Sequence, residues 1–176
     1  MNAAESLFLI GPMGAGKTTI GRYLGKRFER EFVDLDAEIE ARCGADIRWI
    51  FDVEGEQGFR DRETALLREM VARPGLVVAT GGGVVLRAEN RALLRGAGLV
   101  IYLAVSPREL YERIRNDQHR PLLQVPNRRE VIERLVGERD PLYREVATLV
   151  YSGGRRSARG AAEEIAKLIA ASDGSV

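Results

Sequence analysis

The chain has 176 residues, 45% apolar and 30% charged, a balance that buries a core and keeps the surface in water. Its 27 lysines and arginines against 26 acids leave a formal charge of +1, so no global charge points to nucleic acid or a membrane, and any basic site is local. The single cysteine, Cys43, excludes an intramolecular disulfide framework and a cysteine-based zinc centre, and no apolar run approaches the ~20 residues of a membrane helix.

The opening MNAAESLFLIG lacks the basic and apolar regions of a secretory signal, and a soluble cytoplasmic protein is expected. Leu7 to Ile10 is a brief apolar run, as a buried parallel strand requires. After GAGKTT, the recurrence of Ile20, Tyr23, Leu24 and Phe28 predicts a helix. EFVDLD predicts a second strand, and a helical tract follows with Leu66, Leu67, Met70 and Val71 as its apolar stripe before Pro74-Gly75. LVVAT and LVIYLAV predict two more strands, and LVY near Leu149 a shorter one.

Ser106-Pro107-Arg108-Glu109 combines an N-cap, a proline at the first helical position and a capping-box glutamate; Asn127 and Glu130 repeat the box before VIERLVGERD. The last helix is predicted from Ser157 through Ile165, Leu168 and Ile169, ahead of a frayed SDGSV. Between the two capping boxes, RNDQHRPLLQVPN carries two prolines and no period, the signature of a functional lid or of a disordered connection. Strands alternating with helices predict a parallel α/β sheet.

GPMGAGKT, Gly11 to Thr18, matches G-x-x-x-x-G-K-[ST] between a strand and a helix. Backbone N–H groups of such a loop surround phosphate oxygens, aided by the helix N-terminus. Lys17 would reach the β- and γ-phosphates and the Thr18 hydroxyl would ligate Mg²⁺. This signal specifies nucleoside triphosphate binding and leaves the acceptor open: water, protein, nucleotide or small metabolite.

Asp34 and Asp36 stand at the end of the second strand, where ligands bind in open α/β sheets. Two apart on a strand, they would face the same way, one holding Mg²⁺ through water and the other accepting a proton from an attacking hydroxyl. The alternative is a solvated pair capping a helix near Ala37, with Asp36 as the N-cap. Arg60 in GEQGFRDRE, Arg120 in HRPLL and Arg139 in ERDPLYRE suggest an anionic acceptor if they converge, since a guanidinium grips carboxylate or phosphate bidentately. ATGGG leaves Gly81, Gly82 and Gly83 without side chains, which fits a tight strand–helix turn or a backbone that must approach a ligand.

FLIGPMGAGKTTIGRYL, DLDAEIE, GADIRWIFDVEGEQGFRDRE, ATGGGVV, RPLL and ERDPLYREVA together resemble the shikimate kinase family, in its bacterial single-domain form. The resemblance implies one domain over 1–176 with a three-layer α/β/α P-loop kinase fold, a five-stranded parallel sheet in the order 2-3-1-4-5 and a mobile lid. It places the P-loop at 11–18, a substrate-binding region at about 34–62 and the lid at about 115–127. The implied reaction moves the γ-phosphoryl group of ATP to the 3-hydroxyl of shikimate, on the route to chorismate and the aromatic amino acids.

By motif position, Asp36 is implied as the base that holds the shikimate hydroxyls, Arg60 and Arg139 grip its carboxylate, and Gly82 offers its N–H from a turn shaped by Gly81 and Gly83. Thr18 would hold Mg²⁺ directly and Asp34 through water; Lys17 and Arg120 would stabilise the transferring phosphoryl group. Gly14, Ala15, Gly16, Thr19 and Arg156 complete the implied ATP contacts, and Arg113 also comes near the nucleotide unless it is an exposed helix charge. Trp49, Phe51 and Phe59 would wall the shikimate pocket, while His119 falls on the lid surface and Cys43 packs on a helix face. ATP/ADP and shikimate are the expected partners of a monomer that binds neither nucleic acid nor membrane. Another small P-loop kinase, acting on gluconate or a nucleoside monophosphate, is the nearest rival, and a nucleotide-dependent binding or regulatory module without catalysis is the other.

Overall fold

A computed structural model describes residues 5–114, 127–154 and 156–173. Its sheet is organised around β1 (Leu7–Ile10), whose four residues are all buried. Successive side chains of a strand point to opposite faces. Leu7 and Leu9 accordingly enter one apolar cluster and Phe8 and Ile10 the other. With both faces covered, no polar residue interrupts the strand, and the same holds for β3 (Leu76–Ala79).

Five parallel strands run in the order β2-β3-β1-β4-β5, with β2 at Glu31–Asp34, β4 at Leu99–Leu103 and β5 at Leu149–Tyr151. Helices α1 (Lys17–Phe28) and α7 (Ala158–Asp173) cover the Leu7/Leu9 face, bringing Ile20, Leu24, Ile165 and Ile169 into its core. The opposite face packs against α2 (Leu35–Cys43), α3 (Ile47–Ala72), α4 (Ala88–Arg95) and α6 (Arg128–Val146). Leu110 and Ile114 of α5 (Pro107–Ile114) meet Ile132 of α6 in a small third cluster. The result is the expected three-layer α/β/α arrangement.

Several local signals act as the sequence predicts. Glu109 N–H donates to Ser106 Oγ at 3.3 Å, and Ser106 N–H donates back to Glu109 Oε2 at 3.4 Å, closing the capping box of α5. Ser157 accepts from Gly160 N–H at 3.1 Å and starts α7. Asn127 behaves differently: its side-chain amide donates to Glu130 Oε2 and caps no backbone group. Tyr23 and Leu168, included in the apolar spacing, are 41% and 40% exposed, because Ile20–Leu24 and Ile165–Ile169 define faces from which they point away.

Helix α3 is two helical pieces meeting at Gly55, whose φ of 72° an L side chain rarely adopts. Helix α4 is not among the elements predicted from the sequence, and α2 begins at Leu35, two residues earlier than the reading at Ala37. No described helix is long and apolar enough to cross a membrane. The lid interval 115–126, with His119 and Arg120, lies outside the described residues.

The seat of α1 on the sheet depends on a small residue. A Cβ at Gly21 would overlap the Phe32 ring and lie 3.1 Å from Leu9 Cδ1. Gly21→Ala is expected to lower unfolding free energy by about 1–3 kcal/mol through overpacking, measured as a fall in the urea midpoint at constant slope.

Candidate active site

The loop from Gly11 to Gly16 joins the end of β1 to the start of α1, with Gly14 and Gly16 at φ of 80° and 95°. These left-handed positions turn the chain back on itself, and only glycine takes them at no steric cost. Lys17 is buried, and its ammonium donates to the carbonyls of Gly11 and Pro12 at 2.7 and 2.8 Å. Beside the loop lies a cavity of about 770 Å³ bordered by Gly14, Ala15, Gly16 and Thr19 and, across it, by Arg113 and Arg156. Arg113 spans the gap, donating to Ala15 O at 3.4 Å and Gly154 O at 3.2 Å, while Arg156 pairs with Glu164 at 3.2 Å.

Asp34 and Asp36 do not share a strand face. The strand ends at Asp34, and Asp36 belongs to the first turn of α2. Asp34 is the N-cap: its Oδ1 accepts from Asp36 N–H at 3.1 Å and Ala37 N–H at 3.3 Å. Its other oxygen, Oδ2, accepts from the Thr18 hydroxyl at 2.5 Å, tying α2 to the first turn of α1. With the capping role taken by Asp34, Asp36 is left for something else. Its Oδ1 is buried with no hydrogen-bond partner. Desolvation pushes the Asp36 carboxyl above its ordinary value of 3.8, helped by Asp34 and opposed chiefly by Lys17 and then Arg60.

The turn after β3 converges on these groups. Thr80 donates both its N–H and its hydroxyl to Leu9 O, at 3.1 and 3.0 Å, anchoring the turn where the P-loop begins. None of Gly81, Gly82 and Gly83 has a positive φ, so conformational freedom is not what the three glycines supply. They supply space, each toward a different neighbour. A Cβ on Gly81 would lie 2.8 Å from both Asp36 Oδ1 and Glu63 Oε1; one on Gly82 would lie 3.1 Å from the Met13 amide nitrogen; one on Gly83 would overlap the Arg60 guanidinium. Gly82 thus approaches the P-loop backbone, where its missing Cβ leaves room for the Met13 amide.

Arg60 and Arg139 meet at this turn. Arg60 lies against Gly83 and donates to Glu63 Oε2 at 2.7 Å; Arg139, reaching from α6, donates to Gly82 O at 3.3 Å. Glu63 is completely buried, and its Oε1 has no hydrogen-bond partner. Burial raises its carboxyl above the ordinary value, against the pull of Arg60. The role of Glu63 was missed in the sequence, although a glutamate three residues after Arg60 on a helix is the spacing of a side-chain pair. Tyr143 was also missed; its hydroxyl donates to Gly82 O at 2.5 Å. Of the three aromatic residues expected to wall a pocket, Phe59 is core and packs against half-buried Phe51 with ring centroids 4.9 Å apart and planes tilted by 35°, whereas Trp49 is 52% exposed.

The assembled parts are a glycine-rich loop of the phosphate-binding pattern, a half-buried carboxylate with one buried, unpartnered oxygen, and two guanidiniums at one glycine turn. Thr18 and Asp34 add a hydroxyl and a carboxylate in contact, hard oxygen donors of the kind Mg²⁺ takes beside nucleotide phosphates.

A family model described as "SKI: Shikimate kinase" matches residues 13–170. Shikimate kinases of Chromohalobacter salexigens and Aromatoleum aromaticum are 53% and 56% identical, over 94% and 92% of this chain and 92% of each relative. A solved shikimate kinase from Acinetobacter baumannii, in complex with shikimate, aligns with a TM-score of 0.92 and 47% identity over 96% of this chain and 94% of that one. A gluconokinase from Sinorhizobium meliloti 1021 aligns over 98% and 99% of the two chains with a TM-score of 0.58 and 15% identity, a likeness of fold alone.

The elevated Asp36 carboxyl has a consequence for stability. Between the unfolded value near 3.8 and the higher folded value, the native state binds more protons, so stability falls as pH rises through that window and stays lowered above it. Asp36→Asn removes this term. The variant is expected to melt higher than the wild type at pH 8, with the difference shrinking as pH is lowered toward 4, measured by thermal scans across that range.

Proposed function

From the shikimate kinase family, to which this chain belongs, we propose that its site transfers the γ-phosphoryl group of ATP to the 3-hydroxyl of shikimate. The products are shikimate 3-phosphate and ADP. The observation that carries this reading is the unpartnered Asp36 oxygen beside the P-loop, flanked by Arg60 and Arg139 at the glycine turn.

Phosphoryl transfer asks the protein for in-line placement and positive charge more than for covalent chemistry. The P-loop N–H groups and Lys17 bind the β- and γ-phosphates; to do so the ammonium exchanges carbonyl partners at Gly11 and Pro12 for phosphate oxygens. The cavity between Gly14–Thr19 and Arg113/Arg156 takes the nucleoside part of ATP. Thr18 would hold Mg²⁺ directly and Asp34 through water, and the ion when bound offsets the charge of the phosphate oxygens. Asp34 keeps its second oxygen on the α2 amides throughout, so the helix carrying Asp36 stays fixed.

On the acceptor side, Arg60 and Arg139 hold the carboxylate of shikimate and Gly82 N–H meets the ring substituents. Asp36 Oδ1 accepts the hydrogen bond of the attacking hydroxyl and takes its proton as the P–O bond forms. A carboxyl already raised by desolvation is a better proton acceptor than an ordinary aspartate. Glu63 supports Arg60 from beneath. Arg120, placed by its motif alone, belongs on the transferring phosphoryl group. The chain is assigned to the cytoplasm as a monomer.

A polyol without a carboxylate leaves two desolvated guanidiniums poorly matched, which discriminates against neutral acceptors. In a coupled ADP-release assay, shikimate is expected to support turnover while gluconate and AMP do not; turnover with either of those and none with shikimate refutes the proposal. Arg139→Ala should raise the shikimate KM at least about tenfold and leave the ATP KM nearly unchanged, since it removes a charge-assisted contact to the acceptor only. Asp36→Asn should lower kcat by about 10²- to 10⁴-fold with the fold retained by circular dichroism.

A further inference from the structure

We propose that Tyr143 is a positioning residue for the acceptor: its hydroxyl satisfies the Gly82 carbonyl, which leaves the Arg139 guanidinium available to a substrate carboxylate. This rests on the reading that Arg139 grips that carboxylate.

Two donors of α6, one turn apart, converge on a single oxygen. Tyr143 donates to Gly82 O at 2.5 Å and Arg139 at 3.3 Å. The shorter bond comes from the more deeply set group, since Tyr143 is 1% exposed and Arg139 half-buried. The phenol is fixed from behind as well. Its ring stacks on Tyr102 with centroids 4.9 Å apart and planes at 25°, and Tyr102 in turn donates to Asp140 Oδ1 at 2.8 Å. A ring so enclosed presents its hydroxyl in one direction, toward the glycine turn. Burial pushes the Tyr143 phenol up to about 12, so it stays a donor at any pH at which the enzyme is assayed.

Without that hydroxyl, Gly82 O would depend on Arg139. A carboxylate that drew the rigid guanidinium fork toward itself would then pull Nη1 from the carbonyl, which would lose its donor as the group turned to the substrate. With Tyr143 in place, Arg139 turns to the substrate while Gly82 O keeps a partner and its peptide keeps its orientation. Acceptor binding is thereby separated from the integrity of the turn that lies on the P-loop.

The test uses Tyr143→Phe, which retains the ring and its stack on Tyr102, beside Arg139→Ala and the wild type. Shikimate affinity is read by titration calorimetry, kcat and the ATP KM by the coupled assay, and affinity for the shikimate carboxamide by the same calorimetry. Tyr143→Phe is expected to weaken shikimate binding about tenfold, as for loss of one buried hydrogen bond to a contested acceptor, with kcat and ATP KM within about twofold of wild type. Its affinity for the carboxamide, which offers no charge to draw Arg139 away, should match the wild type within about twofold. A shikimate affinity unchanged in Tyr143→Phe but weakened in Arg139→Ala overturns the role of Tyr143 and leaves that of Arg139 standing. Unchanged affinity in both removes the Arg139 reading and this proposal with it. Equal losses for shikimate and carboxamide assign Tyr143 to packing alone and also overturn the proposal.

Discussion

The site is arranged around a half-buried carboxylate, Asp36, one oxygen of which is out of water and has no hydrogen-bond partner. A buried, unpartnered carboxylate oxygen is costly, and it persists only where the surroundings fix it. Asp36 meets that condition because Asp34 takes the capping work at the start of α2, while Lys17 and Arg60 supply opposing charge without hydrogen-bonding the free oxygen. Glu63 faces the same small volume over Gly81, so two carboxylates and two cations are balanced there at short range. Such a cluster costs stability, and the proposed function of Asp36 as proton acceptor gives that cost a use.

The sheet order explains how these groups meet. With β1 between β3 and β4, the P-loop after β1 and the glycine turn after β3 leave adjacent strands at the same edge, and β2 brings Asp34 and Asp36 next to them. This is the carboxyl edge of a parallel sheet, where helix N-termini and loop amides collect. Arg139 and Tyr143 come from the far end of the chain, on a helix packed against the face of the same sheet. The groups proposed for the acceptor therefore come from four separate elements, α2, α3, the turn after β3 and α6, and those proposed for the nucleotide phosphates chiefly from one loop.

Much of this was legible in the sequence, and for physical reasons. Short apolar runs such as LFLI and LVVA have one good fate in a chain of alternating helices, a buried parallel strand, and the P-loop specifies its own setting. The capping box at Ser106 marked α5 because both its hydrogen bonds are local. What failed was what depends on neighbours distant in sequence. VDLD looks like a strand pair, yet one carboxylate caps the helix and the other does not, a division set by where β2 stops. TGGG left a tight turn and a close approach to a ligand open, and the sequence could not show that the absent side chains make room for Asp36 and Glu63, the Met13 amide and Arg60. Tyr143 carried no signal, since nothing in ERDPLYRE says which carbonyl its hydroxyl will find.

The three glycines also bear on genetic repair. A larger residue in a packed site can often be accommodated when a neighbour is made smaller. Here the neighbours are the groups to which the proposed function gives work: trimming Asp36, Glu63 or Arg60 would, on that proposal, cost function along with bulk, and the atom beside Gly82 is a main-chain nitrogen that no substitution can shorten. A lesion at this turn therefore has no intragenic suppressor among the residues it touches. Selection for restored activity would return true revertants, or changes that shift whole elements apart.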